Sequence, residues 1–202
     1  MSVAEVVVRV VEQHLVEQLG PVSGRAAVTF VGTSRIEVLR FLGVDPDGGS
    51  LVRYATLGMA AHPMTDPAEL VTDSVGAPRA ELVLTLSRPR DDVFRRLAVL
   101  AAAPFVEGLV VVPGASLDLG EPLWDGAGCS AVLVAEPGGL VADLPLAAQA
   151  EGAAPVRFFP LLPMTPNETA WKRANGAGAL ADRWLGEGTD LRDPDRTAVG
   201  LR

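Results

Sequence analysis

Few side chains in this sequence can make or break a bond. There are two histidines, His14 and His62, one cysteine, Cys129, and one lysine, Lys172. A serine or cysteine nucleophile needs a general base within hydrogen-bond reach, and histidine is the usual one. His14 falls on the apolar face of a predicted helix, among Val7, Val10, Val11 and Leu15, and reads as a packed residue. His62 precedes Pro63 in a loop, and no G-x-S-x-G elbow presents a serine to either ring. Cys129 follows Gly128 at the start of a predicted strand and reads as a small buried hydrophobe. A single cysteine also excludes an intramolecular disulfide and a thiolate zinc cluster.

Phosphate and metal chemistry fare no better. The sequence has no G-x-x-x-x-G-K-[ST] loop, and its two "GAG" runs, at Gly126–Gly128 and Gly176–Gly178, belong to no G-x-G-x-x-G. Asp45 and Asp47 suggest a calcium loop only until its twelfth position is reached, where Thr56 replaces the bidentate Glu. Asp190, Asp193 and Asp195 are interleaved with Arg192 and Arg196, which predicts local ion pairing. Dispersed carboxylates could still do acid–base work, but no pair stands out. The expectation is a protein without catalytic, metal-ligating or cofactor-binding residues.

The 202 residues suit one domain that buries its own core. Apolar residues make up 49% and charged ones 21%, the balance of a globular chain. A net charge of −8 opposes a general nucleic-acid binder and a protein held on anionic lipid. Between Arg96 and Arg157 no basic residue occurs, while Glu107, Asp118, Glu121, Asp125, Glu136, Asp143 and Glu151 do. That stretch is either a set of solvated loops or an acidic face for a basic partner. The apolar run Leu97–Leu117 is broken by Pro104, Gly108, Pro113 and Gly114 into pieces too short to span a membrane. No targeting segment is apparent, and the expected location is cytoplasmic.

The elements that must position these residues are readable from period and punctuation. Ser2 and Glu5 form a capping box ahead of a helix ending at Gly20–Pro21. Strands are predicted at Ala26–Val31, Ile36–Leu42 and Leu51–Leu57, the last two joined as a hairpin by "VDPDGGS". "AELVLTLS" is another strand, followed by a helix from Asp91 or Asp92 to about Ala103, supported by Asp91–Arg95 and Asp92–Arg96 pairs. Strands at Leu109–Val112, Ser130–Ala135 and Val156–Leu162 precede a second capping box, "TPNE", and two short helices. The fold class is α+β: mainly antiparallel sheet with an N-terminal, a central and C-terminal helices. One domain over residues 1–190 and a flexible tail over 191–202 are expected.

Three segments taken in order, "YATLGMA" (54–60), "AELVLTL" (80–86) and "VRFFPLLPMTPNETAWK" (156–172), resemble the suppressor-of-fused-like domain. The likeness lies in a T-x-G-(M/L) loop, an "E-L" strand and a strand ending in P-(I/M)-T-x-x-E, over roughly residues 25–190. Ala60 and Ala61 depart from the small polar residues usual in that loop, and "VVPGASLDLGEPL" lacks the family's Gly-His pair, so no role for that histidine carries over. The resemblance implies binding of a protein partner. Animal members are two-domain regulators that sequester a transcription factor, gripping a peptide partly by strand addition, and this chain is similar to the first domain only. Bacterial single-domain members look like immunity proteins, for which a basic toxin domain would be the partner. The expected contacts are Met59 and His62 in the first loop, then Glu121, Trp124, Asp125 and Asp143, with Trp171. Two alternatives stay open: a module that dimerises through a sheet edge, and a hydrolase with dispersed carboxylates.

Overall fold

A computed structural model describes residues 2–29, 35–65, 76–148 and 150–201. The first helix, α1 (Val3–Leu19), begins at the Ser2–Glu5 capping box and buries Val7, Val11, Leu15 and Leu19 along one stripe. Then come β1 (Val22–Val28), β2 (Ile36–Val44), β3 (Ser50–Leu57), a single 3-10 turn (Met59–Ala61) and β4 (Arg79–Leu86). Helix α2 (Asp92–Val106) precedes β5 (Ser116–Asp118), β6 (Ala131–Val134) and β7 (Val156–Met164), and α3 (Pro166–Asn175) and α4 (Ala177–Gly186) follow.

Among the described residues, all strands join one seven-stranded sheet in the order β1-β2-β3-β4-β7-β6-β5. Every adjacent pair is antiparallel except β4 and β7, which run parallel. Alternation divides the strands between two faces. Ile36 and Val38 of β2 join α2's Val93, Leu97 and Ala101 in one core, whereas Leu39 and Phe41 join α1 in another. A smaller third cluster packs Ala131 and Leu133 of β6 against Leu180 and Trp184 of α4. The sheet is therefore covered by α2 on one side, and by α1 and the C-terminal helices on the other. The α+β class read from the sequence is what the structure shows.

Several elements differ from expectation, each for a local reason. Strand β1 starts at Val22, and the predicted Phe30 and Val31 lie outside the described residues. Helix α2 continues through a buried Pro104 to Val106, closed by a Glu107 N–H bond to the Ala103 carbonyl. The predicted i,i+4 pairs are replaced by longer-range ones. Asp91 pairs with Arg40 at 3.1 Å, Arg96 with Glu121, and an Asp92 oxygen accepts from the Asp125 N–H at 2.9 Å. Leu109–Val112 is not a strand. Left-handed Gly108 and Gly114 bracket it, and pairing with β6 starts only where Val134 meets Gly114 and Ala115.

The C-terminal segment makes specific contacts with the rest of the fold. The Ser87 N–H bonds the Arg192 carbonyl, the Trp124 indole donates to the Pro194 carbonyl at 3.1 Å, and Arg196 and Val199 are buried. These contacts are made one at a time by residues without helical or strand period, and this is why the sequence reads as a tail.

Candidate functional site

The residues behind the sequence motifs fold inward. Glu81 on β4 is fully buried, and its carboxylate accepts from the Thr56 hydroxyl at 2.5 Å and from the Gly58 and Ala60 N–H groups at 2.9 and 3.0 Å. Burial pushes its pKa up, against the pull of these donors. Two residues earlier on the same face, Arg79 donates to the Ala60 and Ala61 carbonyls, and burial lowers its pKa. Gly58 takes a φ of 116°, and a Cβ there would lie 2.7 Å from the Arg35 carbonyl oxygen, so the turn accepts no other residue without strain. Thr-x-Gly-Met and Glu-Leu are thus two halves of one internal staple.

A second staple closes the other end. Glu168 receives Arg196 through both terminal nitrogens, the Trp184 indole at 3.1 Å and the Val199 N–H at 3.0 Å, and it completes the Thr165 capping box. Burial alone would raise its pKa, yet the Arg196 guanidinium and the surrounding N–H donors outweigh that and hold it at about 2. Both carboxylates are spent on the fold.

The groups that could do covalent chemistry are likewise occupied. His14 Nε2 lies 2.7 Å from the Ala142 carbonyl oxygen, and its ring packs against Phe158. His62 is exposed, its ring edge-on to Phe105 at 6.0 Å. Cys129 is buried, and desolvation raises its pKa to about 11. Among the described residues no three His, Cys, Asp or Glu side chains converge as a metal site, and no helix is long and apolar enough to cross a membrane.

What the structure leaves open is an edge. On either side of β5, the Ala115 carbonyl accepts from the Val134 N–H and the Leu119 N–H donates to the Ser130 carbonyl, so both point toward the β6 side. By alternation the N–H and C=O of Ser116 and Asp118 then point away from the sheet, and among the described residues no backbone group meets them. Beside this edge lies a cleft of about 240 Å³ between β5 and the second half of α2. Val99, Leu100, Ala103, Leu109, Leu117 and Leu119 line it, with Glu107 and Asp118 among its walls. Two of the apolar side chains that line it stay exposed, Val99 at 38% and Leu109 at 39%. The Ser116 hydroxyl is buried in its wall without a hydrogen-bond partner.

The residues expected to contact a partner do not converge. Met59 is enclosed at 0% exposure and Trp124 at 2%, so both are core residues with no surface to offer. Glu121 is exposed but paired with Arg96, and Asp125 is exposed in the next turn. Asp143 faces Arg157 at 3.9 Å, and Trp171 is half-buried beneath the Arg183 guanidinium. Four of the seven acidic residues in the basic-free stretch thus stand beside three arginines from outside it, including Arg173 at 3.5 Å from Asp118. Glu107 has no ion pair among the described residues. The cleft was missed because Leu97–Leu117 looks like ordinary core. The available signal was its excess of apolar residues over what one helix face can bury.

A family model described as Suppressor of fused protein (SUFU) matches residues 32–197. Among solved structures, a protein described as a SUFU homolog from Neisseria gonorrhoeae FA 1090 is 16% identical, with a TM-score of 0.67 over 98% of this chain and 99% of that one. A chain of the Sufu–Fu complex is 13% identical, with a TM-score of 0.67 over 96% of this chain and 91% of its own. Drosophila Suppressor of Fused is 12% identical with a TM-score of 0.64, and 94% of this chain covers 50% of it, so this chain spans half its length. No curated protein is matched.

Proposed function

The chain belongs to the suppressor of fused family, whose model matches residues 32–197, and from that premise we propose that it is a protein-binding domain that captures an extended segment of a partner along the outer edge of β5. The observation that carries the proposal is the juxtaposition of two unlike features: outward-facing backbone groups at Ser116 and Asp118, and directly beside them a cleft whose aliphatic lining is mixed with the polar groups of Glu107, Ser116 and Asp118. An added strand would satisfy the backbone groups. Its alternate side chains would enter the cleft toward α2, where Leu109 and Leu117 supply apolar surface. A structure of this fold has been solved in the Sufu–Fu complex, which supports a protein as the occupant.

Glu107 and the net charge of −8 favour a basic segment, by the complementarity that speeds and orients encounter. An immunity role, masking a basic toxin domain, is one form such capture would take. Hydrolysis by dispersed carboxylates draws no support from this geometry, since Glu81 and Glu168 are held inside staples. A second reading keeps the protein-binding role but makes the partner another copy. It draws on β1, the opposite terminal strand, whose outer edge also has no backbone partner among the described residues. Light scattering over a concentration series tests it, and a strict monomer removes it.

The test of capture uses a fluorophore-labelled synthetic peptide of alternating valine and lysine. It should bind with an anisotropy change that weakens as salt rises. Ser116→Pro removes one outward N–H and no ladder bond, a place where edge strands tolerate proline. A folded Ser116→Pro protein that binds the peptide as tightly as wild type would contradict the proposal.

A further inference from the structure

Strand β5 has three residues and a ladder on one side only. That is little to hold a binding edge in place, since short, singly paired strands are marginal by themselves. Two successive residues of α3 add what the ladder lacks. Lys172, the sequence's single lysine, donates from Nζ to the Gly114 carbonyl at 2.5 Å, just before β5. Arg173 Nη2 stands 3.5 Å from Asp118 Oδ2 at its far end. Gly114 sits at a φ of 83°, a conformation with few intrinsic restraints for glycine.

The orientation of α3 is in turn set at its first turn. Glu168 lies one helical turn before Lys172 on the same side of the helix. Its carboxylate is gripped by Arg196 and by the Val199 N–H, both from the end of the chain. Among the described residues, no hydrogen bond of this C-terminal strap, residues 190–201, reaches β5 itself. We infer that Lys172 is the positioning residue of the β5 edge, and that the C-terminal strap regulates that edge at a distance by fixing α3 through Arg196. The inference rests on the reading of β5 as the capture edge, and its test separates the two.

The test is amide hydrogen exchange by mass spectrometry on the full chain, with no ligand added. Lys172→Met keeps the aliphatic stem and removes the ammonium. It should raise exchange across residues 114–119 by about tenfold while α1 and β7 keep wild-type rates, because the edge opens locally and not globally. Lys172→Arg should restore most of the protection. Arg196→Met leaves a buried charge unpaired and can unfold the chain, so the strap is tested with the double variant Glu168→Gln, Arg196→Met. That variant should raise exchange over the same residues by about three- to tenfold. Unchanged exchange at 114–119 in Lys172→Met overturns the positioning role, and unchanged exchange in the double variant overturns control by the strap. The valine–lysine peptide should bind Lys172→Met about five- to tenfold more weakly than wild type, and equal affinity overturns the inference. If exchange responds but the peptide ignores even the wild-type protein, the capture reading falls and the positioning role of Lys172 stands.

Discussion

Arg196 Nη2 and Glu168 Oε2 lie 2.7 Å apart, with side chains 6% and 0% exposed. The pair ties the end of the chain to the first turn of α3, and Arg196 also donates to the Pro163 carbonyl at the end of β7. Strand, helix and terminal strap thus share one buried charge pair, in which each partner's desolvation is compensated only while the other is present.

Removing one partner should therefore be far worse than removing both. Arg196→Met is expected to cost about 3–5 kcal/mol in urea unfolding, because it strands a buried carboxylate. The double variant Glu168→Gln, Arg196→Met should recover at least half of that loss. Equal losses in the two would show that the pair is not coupled.

The same carboxylate sets an acid limit. Its pKa of about 2 lies below the ordinary carboxylate value, so the folded state prefers the charged form. The stability this gives is fully present above the unfolded value of about 4.3 and is lost as pH falls toward 2. Urea midpoints measured between pH 6 and pH 2.5 should fall less steeply in the double variant than in wild type.

Glu81 has the opposite sign. Burial raises its folded pKa, so the stabilising contribution is present below the unfolded value and is lost as pH rises through the raised one. Glu81→Gln should then flatten the loss of stability as pH rises above the unfolded value of about 4.3. Glu81→Ala should destabilise by about 2–4 kcal/mol, since it leaves the Gly58 and Ala60 N–H groups buried without acceptors. A thermal midpoint for Glu81→Ala equal to wild type would remove the staple from the account.

Charge at the cleft should matter more than charge elsewhere. Glu121 and Asp143 are paired with Arg96 and Arg157. Neutralising Glu121, Asp125 and Asp143 together should leave affinity for the valine–lysine peptide within about twofold, whereas Glu107→Gln alone should weaken it more and reduce its salt dependence. The reverse order, read by anisotropy at two salt concentrations, would return the acidic-face version to favour.

How much of this could be read from the residues follows from where each signal is stored. Capping boxes at Ser2–Glu5 and Thr165–Glu168 and the β2–β3 hairpin are local, and each appears where the spacing puts it. The parallel pairing of β4 with β7 is not local, because it joins strands separated by α2, β5 and β6. The strap's contacts were invisible for the same reason. The local pairing that the sequence suggests holds for Arg192 and Asp190 at 2.9 Å, but Asp195 is met by Arg88 across a separation of 107 residues. Met59 and Trp124 drew attention as sticky residue types and turned out to be core, since a methionine or tryptophan fills a core as readily as an interface. The cleft needed the irregular path of 108–115 to be known first.

If the edge of β5 accepts a partner strand, its outward amides must lose their exposure to solvent. Amide hydrogen exchange at Ser116 and Asp118, followed by NMR as the valine–lysine peptide is added, tests it most directly. These two outward-facing amides should become protected at saturation by about tenfold or more, while the outer edge of β1 stays at its free rate. Binding that protects neither amide, or protects β1 in their place, would contradict capture at this edge.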